Sequence, residues 1–162
     1  MKTREKIIKE SLSLFNENTF ELSTTNLIAK RSDVLEGSLW YHFNSKNDLV
    51  SVHLSLFKDA FNEQRSHSQG DNPKNLILGI FSIYEVLWDY RYLMRDSFEQ
   101  FSSDFPGLKK KIDVMNSEID EWAKNTIIHA RDLGVLHIKD SDIDSIVAVS
   151  YTHLTLPTIL LV

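Results

Sequence analysis

The sequence predicts an all-α chain, and three observations carry that prediction. Only three prolines and five glycines interrupt the 162 residues. No stretch before the last thirteen positions alternates apolar and polar residues with the two-residue period of a half-buried strand. Apolar residues recur instead every three to four positions, which lines one face of a helix. At 42% hydrophobic and 25% charged, the composition is that of a globular chain, of a length that suits one domain or a small module joined to a larger one.

Each element has its own local reason. Ile8, Leu12 and Phe15 share a face, giving a first helix from about Thr3 to Asn16. Ser23 or Thr24 can cap a second through Arg31, burying Leu27, Ile28 and Ala29. Ser32-Asp33 reads as a turn and Leu35 to His42 as a short third helix. Ser45 and Asp48 have capping-box spacing, opening a long fourth helix whose Leu49, Val52, Leu56, Ala60 and Phe61 line one side. Ser66 to Asn72 reads as a polar linker, and Asn72-Pro73 starts a fifth helix. Apolar nearly all round to Tyr90, that helix is expected to be central and buried. A shorter helix is expected from Arg91 to Ser102, with Arg95 and Asp96 as an ion pair within it. Pro106-Gly107 then opens a long helix striped by Leu108, Ile112, Met115, Ile119, Trp122, Thr126, Ala130 and Leu133, with Gly134 as its stop. Ser141 and Asp144 form a second capping box for a last helix begun by Ile143, Ile146 and Val147.

Charge divides the chain into three regimes. Through Lys58 there are eight Lys and Arg against seven Asp and Glu; from Asp59 to Val149 there are ten against sixteen; beyond Ser150 there is none. The uncharged tail, residues 150–162, carries Pro157 where a helix would continue. It reads as a non-native tail that ends the last helix, which leaves the native chain cut near Val149; the alternative is a terminal strand or a hydrophobic interaction tail.

Several functions are excluded or disfavoured. The absence of cysteine excludes a disulfide scaffold, a thiolate metal site and a cysteine nucleophile. The six histidines are scattered without metal-ligand spacing, and no phosphate loop or nucleophile elbow occurs, so neither an enzyme nor a cofactor or metal is expected. No apolar run reaches the roughly 18 residues that span a bilayer, and the start is not a signal-peptide core, so a bacterial cytoplasmic protein without membrane contact is expected.

The sharpest constellation lies between Ser23 and Lys46. Ile28, Val34, Leu39 and Phe43 are spaced so that two short helices share a small core with the first helix. Glu36, Gly37, Ser38, Trp40, Tyr41 and His42 then face outward. An aromatic, small-residue face of this kind suits a helix inserted in the DNA major groove, although the same rings could pack in a helical core. Lys46 sits at the first turn of the fourth helix, where an ammonium and free N–H groups can converge on a phosphate.

From Thr3 to about Phe57 the chain resembles the N-terminal domain of tetracycline-repressor (TetR) family regulators. The resemblance rests on Thr24-Thr25-Asn26-Leu27-Ile28-Ala29-Lys30 and on Val34-Leu35-Glu36-Gly37-Ser38-Leu39-Trp40-Tyr41-His42-Phe43-Asn44-Ser45-Lys46. Asp33 and Thr19 depart from glycines usual in that family. The resemblance implies an N-terminal three-helix helix-turn-helix domain (1–46) and a helical effector-binding and dimerisation domain (47–149, incomplete). It implies that Thr24 and Lys46 hold phosphates and that Glu36, Gly37, Ser38, Tyr41 and His42 face the groove. Trp40 either touches the DNA backbone or packs beneath the helix. A carboxylate in a groove can accept from a cytosine N4 amine, which would make Glu36 a reader of a C·G pair.

The partners implied are double-stranded DNA with a palindromic site, a small-molecule effector and, in the full-length protein, a second copy. Release of a repressor by the effector is the mechanism so implied. Tyr84, Trp88, Phe98, Met115, Ile119 and Trp122 offer a soft aromatic lining for the effector, though each could equally be core. The family's dimer bundle is its last two helices, one cut short and one absent here, so the 162-residue chain is expected to dimerise poorly and to bind operator weakly. The alternative is an all-helical protein-interaction module without DNA binding.

Overall fold

The structure, a computed structural model, describes residues 2–67, 72–95, 98 and 102–155. Among them there is no strand. Helix α1 (Thr3–Glu17) starts where the Lys2 amide donates to the Glu5 carboxylate at 3.0 Å. Helix α2 (Thr25–Arg31) is capped by Thr24, whose hydroxyl accepts from the Leu27 amide at 3.2 Å. Ser23 is buried instead and donates to the carbonyls of Leu14 and Thr19.

The turn out of α2 is a Schellman motif. The Val34 amide reaches the Ala29 carbonyl at 3.0 Å and the Asp33 amide reaches Lys30 at 3.1 Å. Asp33 takes the left-handed conformation the motif demands, φ 53°, so an aspartate does there what glycine does more cheaply. Helix α3 (Glu36–His42) follows, one residue later than its expected start. Helix α4 (Lys46–His67) opens on the Ser45–Asp48 box: the Asp48 amide donates to the Ser45 hydroxyl at 3.3 Å, and the Asp48 carboxylate accepts from the Asn44 amide at 2.8 Å.

Helix α5 (Pro73–Asp89) is capped by Asn72, whose side chain accepts from the Asn75 amide at 3.0 Å. A 3₁₀ turn (Arg91–Met94) comes next, where the helix expected from Arg91 to Ser102 should begin; residues 96, 97 and 99–101 of that stretch lie outside the described residues. Tyr90 leaves helical geometry and Arg95 is extended at ψ 140°, so the backbone changes direction after four residues. Helix α6 (Pro106–Asp132) ends in a second Schellman motif on Gly134, φ 70°, as its glycine predicts. A 3₁₀ turn (Asp140–Asp142) leads into α7 (Ile143–Thr155).

Four further expectations are corrected. Ser141 does not cap α7: its hydroxyl bonds Asp142, and the Asp144 carboxylate pairs with Lys124 at 2.6 Å. Helix α7 runs on through Thr155 instead of stopping at residue 149, because Pro157 obstructs the helix only in the residues just before it. The polar linker begins later than Ser66, since α4 extends to His67; the rest of it, residues 68–71, lies outside the described residues, as do Asp96 and residues 156–162. Helix α5 is not buried all round. Leu76, Gly79, Ile83 and Leu87 face inward, whereas Ile77, Leu78, Phe81 and Trp88 are 42%, 54%, 63% and 47% exposed.

One continuous core joins the elements. Helices α1, α2 and α3 close around Ile7, Leu14, Phe15, Ile28, Leu39 and Phe43. Helix α4 packs on α1 with one side and on α5 and α6 with the other. Its buried positions are Leu49, Val50, His53, Leu54, Phe57 and Phe61, while Leu56, expected inside, is 40% exposed. The α6 stripe is buried as the sequence predicts at Leu108, Ile112, Met115, Ile119, Trp122 and Ala130.

Candidate nucleic-acid interface

Helix α3 is held by one side chain, fully buried Leu39, with Phe43 immediately after it. A seven-residue helix anchored along one line must present everything else outward. Tyr41 is 86% exposed and Trp40 is 43% exposed; Gly37 is exposed too, with open space where a Cβ would stand. Ser38 and His42 are half-buried, the His42 imidazole lying edge-on to Tyr41 with ring centroids 5.1 Å apart. These rings stand outside the core.

The other candidate residues take more specific positions. Thr24 is exposed at the start of α2, its oxygen already engaged as the cap. Glu36 is half-buried, and its Oε1 accepts from the Thr25 hydroxyl at 2.7 Å, tying the start of α3 to α2. Lys46 does not point its ammonium into open space. Its Nζ donates to the Phe20 carbonyl at 2.5 Å and lies 4.0 Å from the Phe20 ring centroid. Burial lowers the Lys46 pKa, against the opposing pull of Glu21.

Sequence reasoning missed two residues beside this face. Leu35, placed inside the third helix, is its N-cap and 81% exposed. Arg4 lies 5.4 Å from the Phe43 ring centroid, which brings a cation to the end of α3. The signal for Leu35 was the residue before it, since Val34 already fills the core position.

Behind the head, α1 is fastened to the rest of the chain by polar groups. The Arg95 guanidinium donates to the carbonyls of Asn16 (2.6 Å), Asn18 (2.5 Å) and Phe15 (3.4 Å), at the negative end of the α1 dipole. Asp96, the partner expected for Arg95, lies outside the described residues. The Asn16 side chain donates to the Asp89 carbonyl at 2.6 Å and accepts from the Tyr92 amide at 3.1 Å. The fully buried His53 imidazole touches the Ile8 carbonyl through Nε2 (3.0 Å) and the Tyr92 hydroxyl through Nδ1 (2.8 Å). A carbonyl only accepts, so Nε2 carries the proton, Nδ1 accepts, and Tyr92 donates. Burial pushes the His53 pKa down to about 4. Around this network the rings of Phe15, Phe20, His53, Tyr92 and Phe98 pack edge-on, with centroids 5.1 to 5.7 Å apart.

The six residues offered for an effector do not converge on one cavity. Phe98 and Ile119 are buried in the core, and Tyr84 and Trp88 lie on the outer side of α5. Met115 lines a groove between α4 and α6, and Trp122 a separate cavity of about 600 Å³ beside Arg65, Leu76 and His129. Among the described residues no cluster of His, Asp and Glu could hold a metal ion, and no helix is long and apolar enough to cross a membrane.

A short capped α2, a Schellman turn and an outward-facing α3 make a helix-turn-helix. Residues 7–52 match the family model of bacterial regulatory proteins of the tetR family, and residues 57–150, more than half the chain, match that of a bacterial transcriptional repressor named TetR. The chain belongs to the TetR family. The two matches meet within α4. Among curated relatives, the TetR-family chain is 23% identical over 128 residues to the biofilm operon icaADBC HTH-type negative transcriptional regulator IcaR of Staphylococcus epidermidis, covering 78% of this chain and 65% of the relative. It is 25% identical over 108 residues to the HTH-type transcriptional regulator QacR of Staphylococcus aureus, covering 65% and 56%. The chain thus spans between about half and two-thirds of the length of such relatives. Its fold matches that of a TetR-family regulator from Marinobacter aquaeolei with a TM-score of 0.76 at 23% identity, covering 95% of this chain and 77% of the other. A γ-butyrolactone receptor described as ArpA-like gives a TM-score of 0.69 at 21% identity, covering 94% and 76%.

Proposed function

We propose that this TetR-family chain is a cytoplasmic transcriptional repressor. It binds a palindromic operator as a homodimer and is released by a small-molecule effector, without enzymatic activity or cofactor. The observation that carries this reading is the outward face of α3: Tyr41 almost wholly exposed, Trp40 and Gly37 beside it, and only Leu39 holding the helix inside. Aromatic and hydroxyl groups on such a face reach base edges and phosphates, and a glycine admits the backbone close to the groove floor. The named relatives, a negative regulator and an HTH-type regulator, support the same reading.

In the unbound molecule the functional groups are partly pre-engaged. The Lys46 ammonium leaves the Phe20 carbonyl to meet a phosphate, or else acts by fixing the Thr19–Ser23 turn behind α2. Glu36 braces α3 through Thr25 and keeps its second oxygen for a base amine. Two copies place their α3 helices about one DNA turn apart, roughly 34–36 Å, on a symmetric site.

Selection from a random duplex pool tests the reading. A palindromic consensus is expected, bound with an affinity that falls steeply as salt rises through counterion release. Binding indifferent to salt, or no enriched sequence even with a full-length version of the protein, would favour the protein-interaction module instead.

A further inference from the structure

The groove between α4 and α6 encloses about 360 Å³ and shares only Met115 with the residues the sequence offered for an effector. Its floor is apolar, made by buried Leu54, Phe57 and Met115 with Val114 at the mouth. Its rim is cationic. Lys58 stands on the α4 side and Lys110 and Lys111 on the α6 side, against the single carboxylate of Glu118. Glu118 lies 3.6 Å from Lys58, while Lys110 and Lys111 have no acidic partner among the described residues. This excess of positive charge interrupts a stretch, Asp59 to Val149, in which acids outnumber bases sixteen to ten.

An apolar floor under a cationic rim complements one class of small molecule. We propose that the α4–α6 groove binds a single-chain amphiphile with an anionic head group, its chain on Leu54, Phe57 and Met115 and its head at Lys110 and Lys111. Lys110 and Lys111 are exposed, which leaves their ammonium groups in reach of a head group at the water boundary. Resting on the regulator reading, the groove is the effector site. Its α4 wall belongs to the helix whose first turn carries Lys46, bonded to Phe20. The cavity beside Trp122 is wider, but Arg65, Glu121, Asn125 and His129 give it mixed charge and no dominant sign.

The test uses isothermal titration calorimetry of the 162-residue chain with dodecanoate and, as the charge-reversed control, dodecyltrimethylammonium, both below micelle formation. Dodecanoate is expected to bind with one-to-one stoichiometry, at least about tenfold more tightly than the cation. The double variant Lys110→Gln, Lys111→Gln is expected to lose about tenfold in dodecanoate affinity, and Val114→Glu at the exposed mouth to lose more, with the urea midpoint unchanged in both. Equal binding of the two amphiphiles, or indifference to all three substitutions, overturns the proposal. Affinity for the selected DNA is measured separately without amphiphile. DNA binding with no dodecanoate binding ends the groove assignment alone; charge-selective dodecanoate binding without DNA binding ends the regulator reading and leaves the groove as an anion-amphiphile site.

Discussion

Gly37 separates what the fold needs from what the groove needs. It lies in the first turn of α3 with φ in the ordinary helical range, and a Cβ built there meets nothing within 4 Å. The protein therefore has no steric use for a glycine at this position, and alanine should stabilise the helix by up to about 1 kcal/mol. If the vacancy serves close approach to a groove floor, Gly37→Ala should raise the urea midpoint and lower affinity for the selected operator at least about tenfold. Unfolding curves and fluorescence anisotropy on the same preparation check both halves; an alanine variant that gains stability and keeps its affinity would make Gly37 incidental. The outward residues were legible because 3.6-residue spacing fixes which side of a short helix faces away from Leu39. Where long side chains end was not legible. Nothing in the order of residues says that the Lys46 ammonium folds back onto Phe20 or that Glu36 accepts from Thr25, since both depend on groups distant in the chain.

At the scale of elements, the junction between α1, α4 and the Arg91–Met94 turn is held by buried polar groups that the sequence does not announce. The sequence showed six scattered histidines, and only the crossing of three elements makes His53 the centre of a buried network. Its lowered pKa has a definite consequence. Folded His53 stays neutral down to about pH 4, whereas in the unfolded chain it takes up a proton near 6.5. Between those values the unfolded state binds more protons, so stability is complete above pH 6.5 and falls as the pH drops. From pH 7 to pH 5 the loss should be about 2 kcal/mol, measured by urea unfolding. Glu17, whose pKa is lowered chiefly by its hydrogen bonds from Arg31 and Ser13, loses its contribution only at lower pH, below the usual carboxylate value of 4.5. The slope between pH 6.5 and 5 therefore belongs to His53, and His53→Gln, which retains an amide to bridge Ile8 and Tyr92, should flatten it. A variant with the wild-type slope would place the acid sensitivity elsewhere.

For the whole molecule, the order of the helices apart from the one expected to start at Arg91, the turn at Ser32-Asp33, the Gly134 stop and the α6 stripe follow from local chemistry and were readable. The surroundings of α5 were not, because an apolar residue is a weak guide to burial while a buried charge is a strong one. Ile77, Leu78, Phe81 and Trp88 form an exposed apolar face on α5, beside the Arg91 guanidinium that lies 4.5 Å from the Trp88 ring centroid. A patch of this kind promotes association once concentration is high enough. The 162-residue chain is therefore expected to sediment as a monomer at low micromolar concentration and to associate reversibly as concentration rises. The double substitution Leu78→Ser, Phe81→Ser should abolish that association and leave unfolding free energy within about 0.5 kcal/mol, since both side chains already face water. A tight dimer at low micromolar concentration that survives the double substitution would locate self-recognition on another surface.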